Sequence, residues 1–239
     1  MKKIKPLFKT PNSKWHIHSW IIENFPKGYE ELNYLEPCFG DGSVFFNKNK
    51  SAAEFINDDD SGTTHILRCL RDESKYFIEK LKRVKYSENT FNRITKKENL
   101  DHLNFAVQEF TLRRMSRLGE KATFIHSDTS IDAWYEVLED LPRITERILE
   151  SHIFNKPTYD VVRAFDENNT LVYVNSPHSV EDNLTSTNAY VKLSNLLNNF
   201  KGKVIVSSKP TAFQKRLYAG WGCAKKKCGL ETECLFMNY

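Results

Sequence analysis

The chain has 239 residues, 40% of them hydrophobic, and its 16 Phe, 10 Tyr and 4 Trp can fill the core of one large α/β domain or of a domain with an inserted subdomain. That composition excludes global disorder. A formal net charge of +4 permits a polyanionic partner without requiring one.

Five cysteines, at 38, 69, 223, 228 and 234, are odd in number and show no disulfide framework. The N-terminal MKKIKPLFKTP is charged and lacks the apolar centre of a signal peptide. No apolar run approaches the ~20 residues that a membrane helix needs, so a soluble protein of a reducing cytoplasm is expected.

In chain order, residues 14–25 place Trp15, Ile17, Trp20, Ile21 and Ile22 at helical spacing, with Asn12 or Ser13 as N-cap and Pro26-Lys27-Gly28 as the stop. His16 and His18 are two apart, point to different faces of a helix and make a poor metal pair. Tyr34-Leu35 reads as the first strand. Phe39-Gly40-Asp41-Gly42 follows at once, then Val44-Phe45-Phe46 as a helix start, and Glu54-Phe55-Ile56 as a second strand leading into Asn57-Asp58. Two readings of this stretch stand. Glycines 40 and 42 let backbone amides approach a ligand, with a carboxylate about 20 residues on to take a ribose hydroxyl. Alternatively this is a tight turn, and the acids 58–60 cap the next helix.

Residues 62–71 form a helix on Ile66, Leu67 and Leu70. From 73 to 121 the pattern is helical and rich in charge, with one stripe on Phe77, Ile78, Leu81 and Val84, and another on Phe105, Val107, Phe110, Leu112 and Met115. Basic clusters lie at Lys80, Lys82, Arg83 and Lys85, at Arg93, Lys96 and Lys97, and at Arg113, Arg114, Arg117 and Lys121. Each is either a solvated helix face or a surface for nucleic-acid phosphates. Residues 131–149 form an amphipathic helix that Pro142 is expected to split. Strands are expected at 152–154, 171–174, 203–207 and 234–239, and helices at 188–200 and 213–217. The alternation argues for an α/β sheet domain with a mostly helical subdomain. Cys223, Cys228 and Cys234 are too widely spaced for zinc without a fourth ligand, so no metal is expected, and Lys225-Lys226-Lys227 reads as a flexible loop. Asp58, Asp60 and Gly62 fail as a calcium loop, because its closing glutamate position holds Cys69.

Taken together, YLEPCFGDGSVFFNK, EFINDDD, ILRCLRD, QEFTLRRMSR, DAWYEVLEDLPRITERI, VVRAFDENNTLVYVNSP, GKVIVSSKPTAFQKRLYAGW and TECLFMNY resemble, in order and over nearly the whole chain, the Dam-like (alpha-group) adenine-N6 DNA methyltransferases of the compact phage and prophage type. The resemblance implies a Rossmann-like sheet that uses S-adenosylmethionine. Residues 1–72 and 122–239 would be the catalytic domain and 73–121 a helical target-recognition insert. It implies cofactor binding by Lys14, Glu36, Phe39, Gly40, Gly42 and Asp58, and double-stranded DNA held by Arg113, Arg114, Arg117 and Lys121. It also implies the cytoplasm of a bacterium or of a phage-infected host.

The family's catalytic motif is Asp/Asn-Pro-Pro-Tyr, and Asn175-Ser176-Pro177-His178 stands in its place. In the family the first side chain and the second carbonyl accept from the exocyclic amine of a flipped adenine, and the aromatic stacks on the base. Here Asn175 keeps an acceptor, Ser176 lacks the ring that stiffens the second carbonyl, and His178 offers a smaller, titratable stacking surface. Two other positions also depart. Asn12-Ser13-Lys14 replaces Gly-Gly-Lys, and VEDNLTSTNAYVKL stands where a His-Glu-Met-type segment is usual. Two function classes follow: an active DNA adenine methyltransferase, or an inactive relative that binds DNA, cofactor or a protein partner without turnover.

Overall fold

The computed structural model describes residues 3–175 and 184–239. The chain forms two compact units, a sheet unit of residues 19–39, 48–59 and 154–239, and a helical unit of residues 1–18, 40–47 and 60–153. The stretch 73–121 falls wholly within the helical unit. Among the described residues no helix is long and apolar enough to cross a membrane.

The strands are β1 (Asn33–Glu36), β2 (Ala53–Asn57), β3 (His152–Phe154), β4 (Thr170–Asn175), β5 (Lys203–Ser208), β6 (Gly222–Cys228) and β7 (Glu231–Met237), in the order β3-β2-β1-β4-β5-β7-β6. β2, β1, β4 and β5 pair in parallel, and β7 enters antiparallel between β5 and β6. The order 3-2-1-4-5 is that of a Rossmann-like sheet, whose switch point lies between β1 and β4. β4 and β5 are apolar runs because both of their faces are covered. On one face Leu35, Val172, Val174, Val204, Val206 and Phe236 pack with Val161 and Val162 of α7 (Thr158–Ala164), Leu197 of α8 (Leu184–Asn198) and Tyr218 after α9 (Ala212–Leu217). On the other, the ring of Phe25, just past α1 (His18–Glu23), lies 5.9 Å from that of Tyr34 and 6.1 Å from that of Tyr173.

Three local expectations are corrected. The lysine tract is an edge strand, since Lys225, Lys226 and Lys227 ladder with Cys234, Glu233 and Thr232. Gly229, at φ 62°, makes the turn, and the exposed lysines keep this edge from pairing further. Across the same ribbon Cys223 and Cys234 meet in a disulfide, Cα atoms 6.4 Å apart, a pairing that their spacing of 11 did not reveal. Val44-Phe45-Phe46 makes a single turn, closed by Phe46 N–H to Gly42 O at 2.9 Å, because Asn47 turns back to donate to the Ser43 carbonyl at 2.9 Å.

The helical unit is built from α2 (Ser61–Asp72), α3 (Ser74–Lys82), α4 (Glu88–Thr95), α5 (His102–Met115) and α6 (Asp128–Ile148). Asp60, Ser87, Asp101 and Ser127 cap α2, α4, α5 and α6 by accepting backbone N–H groups at their first turns. The core is an aromatic chain in which Phe77 meets Phe110 at 6.0 Å, Phe110 meets the fully buried Trp134 at 5.9 Å, and Trp134 meets Tyr86 at 6.1 Å. Pro142 does not split α6, which runs unbroken for 21 residues. Pro142 itself lies exposed.

Candidate active site

In the sheet unit, Glu36, Phe39, Asp58 and Asn175 all lie at or just beyond the carboxyl ends of the adjacent parallel strands β1, β2 and β4. This edge, at the topological switch point, is where open α/β sheets bind ligands. The Phe39 N–H donates to the Asn57 carbonyl at 2.9 Å, tying the chain after β1 to the end of β2. The buried Asn57 side chain completes the tie. Its Nδ2 donates to the carbonyls of Pro37 (2.9 Å) and Lys156 (3.0 Å), and its Oδ1 accepts from the Lys156 N–H at 3.0 Å. Asn155 Nδ2 donates to the Asp58 carbonyl at 2.8 Å, fixing the backbone of the acid at the end of β2.

This edge is electrically acidic. Burial pushes the Cys38 thiol up to about 12, and the charges of Asp58, Asp59 and Glu36 add to that against one hydrogen bond from Thr158. Glu36 is buried and accepts from the Tyr34 hydroxyl at 2.6 Å. Burial, then Glu36, drive the Tyr34 hydroxyl well above its ordinary value. A field of this sign favours a bound cation.

Asn175 closes β4 opposite Ser207 of β5. By strand alternation it shares a sheet face with Tyr173. Ser207 Oγ donates to the buried Glu233 carboxylate of β7 at 2.7 Å, so a polar pair neighbours Asn175 inside an otherwise apolar sheet. Ser176, Pro177 and His178 lie outside the described residues.

In the helical unit the glycine turn and Lys14 come together through Asp41. The buried Asp41 carboxylate accepts from the Ser43 N–H (3.0 Å) and hydroxyl (2.7 Å), and its backbone carbonyl accepts from the Leu7 N–H at 3.1 Å. Burial raises its pKa above the usual carboxylate range, opposed by hydrogen bonds from Ser13 and Ser43 and by the charge of the buried Lys14. Gly40 and Gly42 adopt φ of 58° and 74°, which favours glycine at both positions. A Cβ on Gly40 would meet nothing within 4 Å, so the turn leaves open space beside its backbone.

The four cations assigned to DNA have different surroundings. Arg113 ion-pairs with Asp60 and with Glu109, lies over the ring of Phe8, and its side chain is 11% exposed. Lys121 Nζ bonds both Glu109 oxygens at 3.1 Å. Arg114 is buried, donates to the Ala133 carbonyl, and is pushed down to about 10 by that burial. Only Arg117 of the four is exposed.

The family of D12 class N6 adenine-specific DNA methyltransferases matches residues 13–227. This chain belongs to that family. Methyl transfer to adenine N6 of DNA is accordingly its reaction and S-adenosylmethionine its cofactor. The residues at the strand ends of the sheet unit suit a cationic sulfonium cofactor, given the acidic edge at Glu36, Asp58 and Asp59. Among solved structures, the chain is similar to the yhhF protein of Escherichia coli, a proposed methyltransferase, at 11% identity and a TM-score of 0.44 over 96% of this chain and 90% of that one. A conserved hypothetical protein of Streptococcus pyogenes is similar at 9% identity and a TM-score of 0.44, over 95% and 96%. SMU.472, a proposed methyltransferase complexed with SAH, is similar at 9% identity and a TM-score of 0.33, over 99% and 82%. None of the curated proteins matches this member of the family.

Sequence reasoning singled out Asp58 and passed over Asn57, Asp41, Ser207 and Glu233. Glu233 was the most findable, since a carboxylate at an inward position of an apolar strand needs a partner.

Proposed function

We propose that this chain methylates adenine N6 in double-stranded DNA, in the cytoplasm of a bacterium or of a phage-infected host, with Asn175 as the first acceptor for the target amine. The reading is carried by Asn175 closing the central strand β4 beside the switch point of the sheet. S-adenosylmethionine, when bound, supplies an electrophilic methyl group on a sulfonium. Glu36, Phe39, Gly40, Gly42, Asp58 and Lys14 are the residues proposed to hold it. The adenine amine is a weak nucleophile because its nitrogen lone pair is delocalised into the ring. The Asn175 side-chain oxygen and the Ser176 carbonyl each accept one amine N–H, which favours a tetrahedral nitrogen and stabilises the positive charge that develops there. His178 stacks on the flipped base and keeps water from it. The stretch 73–121 serves target recognition.

The test pairs calorimetric titration of S-adenosylmethionine with radiolabelled methyl transfer to mixed-sequence duplex and single-stranded DNA. Binding and transfer to the duplex are expected. Asn175→Ala should lower kcat by about 10²–10³, the usual cost of one preorganised hydrogen-bonding group, with cofactor affinity unchanged. Absence of binding at millimolar cofactor, or undiminished transfer by Asn175→Ala, would overturn the proposal. Binding without any transfer would support the inactive relative instead.

A further inference from the structure

The helical unit holds a second feature that points to a ligand. A cavity of about 130 Å³ opens among α3, α4 and α5, and four cations line it: Lys80, Arg83, Arg93 and Lys97. Ile94 and Val107 give it an apolar wall. The walls are braced, since Gln108 of α5 donates to the carbonyls of Ile94 (2.7 Å) and Lys97 (3.0 Å), and Lys80 Nζ donates to Asn104 Oδ1 at 3.0 Å. Among the described residues no ion pair engages Arg83, Arg93 or Lys97. That contrasts with the end of α5, where Arg113 and Lys121 are taken up by Glu109 and Asp60, and Arg114 by burial.

Cations without carboxylate partners, set around a concave apolar wall, suit an anion that carries apolar surface beside its charge. A sugar–phosphate backbone has both. The exposed Lys82, Lys85 and Lys96 carry positive charge beyond the cavity, which fits a polymeric anion better than a single small one. Resting on the reading that DNA is methylated, we infer that this cavity seats a backbone phosphate of the DNA substrate, with Arg83, Arg93 and Lys97 as its main contacts. The interaction positions the duplex and carries no base specificity, because phosphates are the same at every sequence.

The test is binding of a fluorescein-labelled, mixed-sequence duplex, followed by anisotropy over a potassium chloride series. The variant Arg83→Gln/Arg93→Gln/Lys97→Gln should bind on the order of tenfold more weakly or worse at low salt. Its log K against log salt should be shallower by about 0.9 for each phosphate that the variant leaves unneutralised. Its affinity for S-adenosylmethionine should equal that of the parent. The charge-preserving Arg83→Lys/Arg93→Lys/Lys97→Arg variant should keep most of the slope, which separates removal of charge from a damaged fold. If the parent binds the duplex and the glutamine variant matches it in affinity and slope, the inference is overturned while DNA as substrate stands. Failure of the parent to bind duplex at all would sink both. Displacement of the duplex by inorganic phosphate at equal concentration would mark a small-anion site and overturn the backbone assignment.

Discussion

Gly62→Ala probes how firmly the helical unit is clamped at the start of α2. A Cβ there would lie 2.1 Å from Glu109 Oε2 and 2.7 Å from its Cδ. The end of a glutamate side chain usually yields, but this one is pinned. Arg113 bonds Glu109 Oε2 through Nε at 3.2 Å and through its terminal nitrogen at 3.0 Å, and Lys121 reaches both oxygens at 3.1 Å. Moving the carboxylate by more than about 1 Å breaks at least one charge-assisted bond, worth roughly 1.5–3 kcal/mol, and overpacking adds about 1–3 kcal/mol. Against this stands a helix-propensity gain of at most about 1 kcal/mol. The net expectation is a loss of about 2 kcal/mol, or a Tm lower by roughly 4–8 °C for a chain of this size. Urea unfolding followed by circular dichroism measures it directly. In a Glu109→Ala background the obstacle is gone, so Gly62→Ala should there be neutral or mildly stabilising, giving a coupling of about 2–3 kcal/mol. An equal cost in both backgrounds, or a parent-like Gly62→Ala protein, would refute the reasoning.

The cations at the end of α5 should separate in binding assays. Arg114→Met, which replaces a buried cation by an apolar chain of similar length, should leave the salt dependence of DNA binding unchanged, whereas Arg117→Gln should lower the slope by about 0.9 if the exposed Arg117 contacts phosphate. A changed slope for Arg114→Met would show that its burial is lost on DNA binding. The acid limb of the stability profile should depend on Asp60. Burial alone would raise its pKa, but Arg113, the Thr63 hydroxyl and the Gly62 N–H outweigh burial and hold it below the ordinary carboxylate value. Between the folded and unfolded values the unfolded chain binds more protons. The contribution is therefore present above the unfolded value and lost as pH falls through the folded one. Asp60→Asn, which can still cap α2, should flatten the decline in unfolding free energy below about pH 4. A decline as steep as the parent's would exclude this source.

The parallel strands were legible because β4 and β5 are apolar runs that end in polar residues, a pattern that only strands covered on both faces need. The helical character of residues 61–115 was legible from its apolar stripes. What escaped depended on partners distant in sequence. β6 reads as a loop because its three lysines have no apolar alternation. They become a strand only because β7 offers its ladder. Asn57 looks like a spacer before the acids, and its role as a tie exists only once Pro37 and Lys156 are brought to it. The basic cluster at the end of α5 was the converse case. Its spacing read as a surface, while the structure turns Arg113 and Lys121 toward Glu109 and buries Arg114. Charge in the sequence says nothing of which charges fold against each other.

The departure of Asn-Ser-Pro-His from the family motif bears unequally on the two proposed acceptors. Asn175 is the last residue of β4, in register with Ser207, so the ladder with β5 fixes its backbone whatever residue follows it. Beside it the Ser207–Glu233 bond fills a position where an unpaired hydroxyl would cost stability inside the sheet. The backbone of the proposed first acceptor is therefore held by strand pairing, and on this proposal no proline is required for it. At 176, the proposed second acceptor, serine stands where the family motif has proline and lacks the ring that restricts φ. In transition-state terms the proposed cost is orientational, an entropy term on one of two hydrogen bonds, with the one proposed for Asn175 kept. On this proposal the altered motif lowers the rate without abolishing the reaction, which makes family membership and a divergent motif compatible.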